Sequence, residues 1–504
     1  MIDPIRRTRV VPVSEPLPPC WLRRNRTAPD IDGRSKVLLR VGPGGRLRQA
    51  LVDTVDEATE VVLVASFLLS DEALADALLH ASKRGKRVYV LTASGDKLSK
   101  YVPDEEGFEK RMVEEHKRLL DRLAGRVLLR SADHFHAKLL VADPQTNPRG
   151  WISTANFNKA LRESVELGVR LRPETAAAVA GWFSYVFWSE AEHELAGKGR
   201  LARVREPPGV PRLPEADDVV VTTREHTTLR AQALRLVEGA RRELLVACFG
   251  LDASHPVVDA IVAKAKSGVN VTVFTRPRPA VRDAAMRLAE AGATVLAHDK
   301  LHAKAIVSEA GAMVMSANLE PNGLDTGFEV GVVLDASGER ELRRILAGDW
   351  AKRFPWSFAP SANREDHLGE ICLADRGLRD GCREVIDEKP VPLPPVTAYD
   401  ALRLDDAPEP EMRAPQTQEF PRRWRFEWEV RPPRLPKGAK ERLREVEREK
   451  KGKGGKVKTA KTRVSHDPPV FEHRGQVFVV LRDAAQIERV RAAAAELDAR
   501  VVLP

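Results

Sequence analysis

The chain has 504 residues, 43% hydrophobic and 31% charged, with a net charge of +9. This size calls for roughly two to four domains, and the composition excludes wholesale disorder and a membrane-embedded body. The four cysteines (Cys20, Cys248, Cys372 and Cys382) include no C-x-x-C pair, which excludes a disulfide scaffold and a zinc finger.

The opening residues lack the apolar core of a secretion signal. The most apolar run, Ala176–Trp188, is too short to span a bilayer and reads as a buried amphipathic helix. A cytoplasmic protein without a transmembrane segment is expected. Charge is unevenly placed. Residues 1–50 hold eleven Lys/Arg against four Asp/Glu, or +7, and residues 437–463 hold twelve against four, or +8. The remainder is therefore −6. Basic ends suit a polyanion, either nucleic acid or anionic lipid head groups. A solvated tail is the bland alternative for the C-terminal run.

In chain order, residues 1–35 form a basic arm. A first half follows over 36–200. Glu60–Phe67 reads as an apolar strand, Ala73–Lys83 as a helix, and Arg84–Leu91 as a turn feeding a second strand. The polar stretch Gly95–Leu120 has no later counterpart and is expected to be an inserted loop plus helix bordering the site. A second half spans 216–358, with a strand at Glu243–Phe249, a helix, and a strand entered through Gly268. Continuous apolar strands joined by helices indicate parallel pairing with helices on both faces. Residues 384–436 are proline-rich and read as a linker. Within it Trp424, Phe426 and Trp428 alternate with charged residues as in a strand, where packing is favoured over base stacking. Residues 437–463 read as a basic flexible segment. Residues 466–504 read as a small C-terminal α/β element: a strand near Val477–Leu481, an alanine-rich helix and a final apolar strand.

An internal repeat organises the middle of the chain. The first copy runs His136-Ala-Lys138, Asp143, Thr154-Ala-Asn156 and Glu166; the second runs His302-Ala-Lys304, Glu309, Ser316-Ala-Asn318 and Glu329. The histidines, asparagines and later glutamates are 166, 162 and 163 residues apart. One His-x-Lys triplet carries no signal, but its duplication with the same downstream company does. Residues two apart on a strand share a face, so each half presents an imidazole, an ammonium, an amide and a hydroxyl together. That set suits a phosphodiester. Lysine faces the non-bridging oxygens, Asn and Ser/Thr donate to them, and histidine attacks phosphorus or protonates a leaving oxygen. His134 and His298 fall outside the matched spacing and read as supporting or surface groups. His367 with Cys372 and Cys382 lacks zinc-ligand spacing, and no metal or cofactor is expected.

The pattern resembles the phospholipase D superfamily, marked by two copies of His-x-Lys-x4-Asp, each followed by Gly-Ser-x-Asn and an acidic residue. The resemblance covers about residues 36–358. Three positions depart from it: Glu309 replaces the second Asp, Ser153-Thr154 replaces the first Gly-Ser, and Met315-Ser316 the second. It implies an α/β fold of two pseudo-twofold-related halves, each a mixed, largely parallel sheet flanked by helices, plus a small C-terminal α+β region. It also implies a metal-independent reaction through a phosphohistidine. His136 is expected as nucleophile and His302 as general acid/base, with the reverse left open. Lys138, Lys304, Asn156 and Asn318 complete the implied catalytic set, and Glu166 and Glu329 orient the histidines. Thr154, Ser316, Asp143 and Glu309 are implied as phosphate-binding or supporting groups. The family includes both lipases or lipid synthases and nucleases. The basic termini and the Arg/aromatic strand lean the expectation toward nucleic acid. A phospholipid transphosphatidylase and a non-catalytic polyanion binder are the alternatives. Both half-sites lie in one chain, so a monomer is expected to be competent.

Overall fold

The computed structural model describes residues 6–12, 17–24, 38–41, 46–93, 110–132, 135–204, 213–362, 369–375, 383–386, 424–429, 440–441, 443–451, 457–465, 470–473, 476–481 and 501–502. Two compact units emerge: residues 19–360 with 372–383, and residues 1–18, 361–371 and 384–504.

The first of these units holds both halves of the repeat. Strands β1 (Cys20–Arg23) and β2 (Leu38–Val41) and helix α1 (Arg46–Asp56) lead into it. In β3 (Val61–Ser66) the run Val-Val-Leu-Val-Ala is buried almost throughout, as a strand covered on both faces must be. Helix α2 (Glu72–Lys83) starts at Asp71, whose carboxylate accepts from the Leu74 amide at 3.1 Å. Gly85 then turns the chain at φ +81°, a left-handed conformation that favours glycine, into β4 (Arg87–Thr92). The first half continues with α3 (Lys110–Leu123), β5 (Leu128–Ser131), β6 (Leu139–Ala142), β7 (Arg149–Ser153), β8 (Glu166–Arg170), α4 (Pro173–Ser189), β9 (His193–Gly197) and β10 (Arg200–Arg203).

The second half repeats this order with β11 (Val219–Thr222), α5 (Thr228–Glu238), β12 (Glu243–Ala247), α6 (Pro256–Lys266), β13 (Asn270–Thr275), α7 (Arg282–Glu290), β14 (Thr294–Ala297), β15 (Ala305–Ser308), β16 (Gly311–Met315), β17 (Glu329–Val333), α8 (Ala336–Arg343) and β18 (Trp356–Ala359). Gly268, at φ +87°, makes the turn between α6 and β13 that Gly85 makes in the first half. Within residues 19–360 the strand orders of the two sheets read β10-β9-β5-β4-β3-β6-β7-β8-β2 and β11-β17-β16-β15-β12-β13-β14-β18-β1. Seven consecutive strands correspond one to one. Both sheets are mixed. Parallel pairing is confined to three strands in each half, β3-β4-β5 and β12-β13-β14, and the strands that flank the repeated motifs are antiparallel.

Helix α4 is buried on nearly every side, from Thr175 to Phe187, rather than on one stripe. It lies in one apolar cluster with Leu63 and Val141 of the first sheet and Leu245 and Val307 of the second. A helix caught between two sheets has no face left for water.

Asp143 and Glu309 fall at the ends of β6 and β15 remote from the histidines. Asp143 accepts backbone hydrogen bonds from Thr59, Glu60 and Val61 at 2.8, 2.7 and 3.1 Å. Glu309 does the same for Arg241, Arg242 and Glu243 at 3.0, 3.2 and 3.1 Å. Each carboxylate pins the entry to the central strand of its sheet. The Asp-to-Glu difference between the copies keeps this function, because both side chains reach three amides. Asp143 is five residues beyond Lys138, and Glu309 five beyond Lys304, about 16 Å at the rise of a strand, so of the two roles expected for these carboxylates the geometry favours the supporting one and not phosphate binding. Burial raises the Asp143 carboxyl, and the three amides more than offset it, leaving it below its ordinary value. Its stabilisation is therefore present above that ordinary value and is lost as pH falls through the folded one. Asp143→Ala is expected to cost about 2–4 kcal/mol in urea denaturation by stranding those amides, with kcat within about threefold of wild type.

In the other unit, Lys440–Glu441, Val470–His473, Gln476–Leu481, Arg6–Pro12, Trp424–Glu429 and Val501–Val502 form a six-stranded sheet in that order. The basic N-terminal segment is therefore not simply an arm. Its residues 6–12 pair on both edges, with Thr8 opposite Trp428 and Val479. Much of the charged stretch read as flexible is an antiparallel ribbon, Leu443–Lys451 against Val457–Ser465. The alanine-rich run at 482–500 and most of the proline-rich segment lie outside the described residues.

Candidate active site

The seam between the halves is built by backbone. The amides of His136 and Ala137 donate to the Phe328 carbonyl at 3.0 and 2.9 Å. Those of His302 and Ala303 donate to the Val165 carbonyl at 2.9 and 3.1 Å. Phe328 and Val165 immediately precede Glu329 and Glu166. Each histidine is thus zipped beside the glutamate of the opposite half. His136 Nδ1 lies 2.8 Å from Glu329 Oε1, and His302 Nδ1 lies 2.9 Å from Glu166 Oε1.

Each glutamate is fully buried and held by the hydroxyl of its own half. Thr154 Oγ1 donates to Glu166 Oε2 at 2.5 Å, and Ser316 Oγ donates to Glu329 Oε2. The amides of Leu167 and Val330 donate to these same hydroxyl oxygens at 2.9 and 3.1 Å. Strand parity placed Thr154 and Ser316 on the expected face. Their hydroxyls, however, face a carboxylate, and a phosphate-binding role is replaced by a supporting one. Lys138 Nζ donates to the His136 carbonyl. Lys304 Nζ donates to the His302 carbonyl at 2.6 Å and sits 3.1 Å from both nitrogens of that ring.

The two relays are not electrostatically equal. Burial raises Glu329, but the positive charge and hydrogen bond of His136, then Lys138 and Ser316, outweigh it, so its carboxyl sits below its ordinary value. Burial dominates at Glu166 and pushes it to about 7, against the opposing pull of Lys304, Thr154, Lys138 and Arg276. Geometry agrees with this difference. His136 makes a hydrogen bond to Glu329, whereas His302 Nδ1 also lies 3.1 Å from the Thr154 carbonyl, which competes with Glu166 for one proton. Lys138 acts on both carboxylates, so the four groups form one cluster.

Asn156 and Asn318 sit just beyond β7 and β16. Asn156 Oδ1 is 3.4 Å from the Leu68 amide, and Asn318 Nδ2 donates to Glu320 Oε1 at 2.8 Å. Their loops are pinned by an equivalent pair of residues. The Ser66 hydroxyl links the Leu68 carbonyl at 2.6 Å to the Phe157 amide at 2.9 Å. The Cys248 thiol links the Gly250 carbonyl at 2.9 Å to the Leu319 amide at 3.3 Å. Burial pushes that thiol up to about 12, and it serves as a strut rather than a nucleophile. A Cβ on Gly250 would meet Glu320 Oε2 at 2.9 Å and Asn318 Cγ at 3.0 Å, which explains glycine there.

Several neighbours carried no sequence motif. The Phe67 ring packs edge-on to His136 with centroids 5.1 Å apart, and Phe249 packs against His302 at 4.8 Å. Helix α3 lies between β4 and β5 as α7 lies between β13 and β14, so it belongs to the repeat, against the expectation of an insertion without counterpart, and it brings Met112 and Val113 onto the cluster that contains Phe67. His116 on the same helix is buried, with Nδ1 3.0 Å from the Leu69 backbone, and burial lowers it to about 4. His298 is buried as well and packs against Phe354, so a surface placement is corrected. His134, His367 and Cys382 lie outside the described residues.

A family described as the cardiolipin synthase, PLD-like domain matches residues 51–187 and 234–350, the two halves described above. The chain belongs to the phospholipase D superfamily. Solved structures it is similar to include a phosphatidylserine synthase from Haemophilus influenzae Rd KW20, at 11% identity and TM-score 0.45, covering 65% of this chain and 88% of that one. Another is Nuc, a phospholipase D family member from Salmonella typhimurium, at 19% identity and TM-score 0.24, covering 33% and 97%. A third is a polyphosphate kinase from Porphyromonas gingivalis, at 15% identity and TM-score 0.39. That match covers 59% of this chain but only 44% of the kinase's length. No curated protein matches. Among the described residues no helix is long and apolar enough to cross a membrane.

Proposed function

We propose that the chain is a phosphodiesterase acting on nucleic acid through a phosphohistidine, without a metal. The observation that carries the chemistry is the crossed pair of imidazole–carboxylate contacts, His136–Glu329 and His302–Glu166. With the Nδ1 proton directed at an ionised Glu329, His136 Nε2 carries the lone pair that attacks phosphorus. A P–N bond forms as the P–O bond to the leaving alkoxide breaks, and His302 gives that oxygen its proton. His302 then takes a proton from water, whose oxygen attacks phosphorus and releases His136. The product is a phosphate monoester. Lys138, Lys304, Asn156 and Asn318 neutralise and orient the non-bridging oxygens. Glu329, ionised throughout the neutral range, suits the imidazole that becomes cationic on phosphorylation. Glu166, poised near neutrality, suits the one that passes a proton in both directions.

Nucleic acid is favoured by the charge of the chain ends and by the ribbon. In its register Arg444, Arg448, Lys450 and Lys458 fall on one face with Val446, Ala460, Thr462 and Val464, and no carboxylate shares it. The other face pairs Glu445 with Arg463 and Glu447 with Lys461. A two-stranded ribbon with one face whose charged positions are all basic fits a polyphosphate backbone. The test is incubation in excess EDTA with labelled single- and double-stranded DNA, RNA, and phosphatidylglycerol vesicles in parallel. Cleavage of a nucleic acid with intact vesicles is expected. Consumption of vesicles alone overturns the substrate, and loss of all activity with chelator overturns the chemistry.

A further inference from the structure

The asparagines of the two half-sites have different atoms engaged. Asn156 Oδ1 faces the Leu68 amide at 3.4 Å. Asn318 instead donates through Nδ2 to Glu320 Oε1 at 2.8 Å, and its buried Oδ1 accepts no hydrogen bond among the described residues. The offset of 162 between the asparagines makes Asn158 the match of Glu320, so the first half has no carboxylate at that position. The loop that carries the pair is held by backbone on both sides of Leu319. Its amide donates to the Gly250 carbonyl at 3.1 Å, and its carbonyl accepts from the Asp252 amide at 3.0 Å. Asn318 and Glu320 lie together against Gly250, where a Cβ would meet Glu320 Oε2 at 2.9 Å and Asn318 Nδ2 at 3.0 Å.

A carboxylate oxygen only accepts, so Glu320 decides which way round the Asn318 amide sits. One Nδ2 hydrogen is taken, the other remains for a non-bridging oxygen, and the carbonyl oxygen is left for a donor. A buried acceptor with nothing to accept carries a desolvation cost that an arriving hydroxyl removes. Asn318 is three residues past Met315, and His302 is three before Ala305. Their strands β16 and β15 pair antiparallel with Ala305 opposite Val314, so both residues stand at one end of the sheet. In the proposed reaction the donor that comes to His302 is the water that resolves the phosphohistidine. We infer that Glu320 is a positioning residue that offers Asn318 Oδ1 to this water and so selects water over an alcohol as the acceptor. The inference rests on the proposed reading and names its acceptor. As the water oxygen forms the new P–O bond and the P–N bond to His136 breaks, one hydrogen passes to His302. The other stays on that oxygen, directed at Asn318. An alcohol gives its only hydroxyl hydrogen to His302 and leaves Asn318 Oδ1 without a donor.

The experiment follows bis(p-nitrophenyl) phosphate in buffer with a fixed concentration of methanol and resolves the products by phosphorus NMR. Hydrolysis gives p-nitrophenyl phosphate and methanolysis gives methyl p-nitrophenyl phosphate. Both draw on one phosphoenzyme, so a loss of folded protein or a slower first displacement changes the rate of p-nitrophenolate release and leaves the product ratio alone. In Glu320→Ala the ratio of hydrolysis to methanolysis is expected to fall about three- to tenfold, the worth of one hydrogen bond to the attacking water. The isosteric Glu320→Gln keeps the packing without imposing one orientation on Asn318, and a smaller fall in the same direction is expected. A product ratio equal to that of wild type in both variants, with p-nitrophenolate still released, overturns the role of Glu320 and leaves the phosphohistidine reading standing. A wild-type protein that releases no p-nitrophenolate overturns that reading and the inference with it.

Discussion

His136→Asn and His302→Asn each lower turnover by at least about a thousandfold while substrate binding and the circular dichroism spectrum persist. The two variants fail at different steps. With bis(p-nitrophenyl) phosphate the leaving group needs no proton, so His302→Asn still completes the first displacement. It then stalls, because nothing activates water, and a phosphoryl adduct accumulates on His136, detectable by intact mass and peptide mapping at alkaline pH. His136→Asn forms no adduct. An adduct on His302 would exchange the assigned roles. Two variants that both retain wild-type rates would remove the enzymatic reading altogether and leave a polyanion binder.

Glu329→Gln is expected to cost about a hundred- to ten-thousandfold in kcat, since it removes the carboxylate that fixes the His136 tautomer and supports its cationic form. Glu329 sits below its ordinary value and stays ionised across the working range, so it adds no inflection there. Glu166 differs, because burial places it at about 7. It is protonated below that pH and ionised above it, and only the ionised form supports a cationic His302. kcat therefore rises with pH through about 7, and in Glu166→Gln that limb disappears from a lower, flatter profile. Stability moves in the opposite sense. A folded value above the ordinary 4.5 means a contribution present at low pH and lost as pH rises through about 7. Wild type should lose roughly 3 kcal/mol between pH 4.5 and 8 from this group, a loss absent from Glu166→Gln in urea melts at the two pH values. A kcat profile with the same rising limb in both proteins would show that another group titrates.

The candidate site was legible because the chemistry limits it to a few side chains, and duplication at a near-constant spacing made His136 and His302 stand out. Sequence also carried the strand–helix–Gly–strand units, since Gly85 and Gly268 are required by the left-handed turns they occupy. What each hydroxyl faces was not legible. Alternation along a strand fixes the side on which Thr154 and Ser316 project but not the partner they meet, which depends on strand β8 or β17 alongside. Pairing of Arg6–Pro12 with Trp424–Glu429 joins segments more than four hundred residues apart, beyond the reach of any local pattern. Charge masked the ribbon of Leu443–Lys451 and Val457–Ser465, whose alternation of Glu and Arg follows a period of two with too few apolar residues to announce a strand.

The seam has one further consequence. Two identical copies joined about a twofold axis would make a groove that looks the same from either end. Fusing the copies into one chain lets the ends diverge, and here they have: Met112 and Val113 of the otherwise charged α3 pack toward Phe67 beside His136, and Arg276 and Arg278 lie by Phe249 beside His302. The seam has a head and a tail. Under the proposed nuclease reading a strand has a single productive direction across it, so its 5′ and 3′ products leave at fixed, different ends.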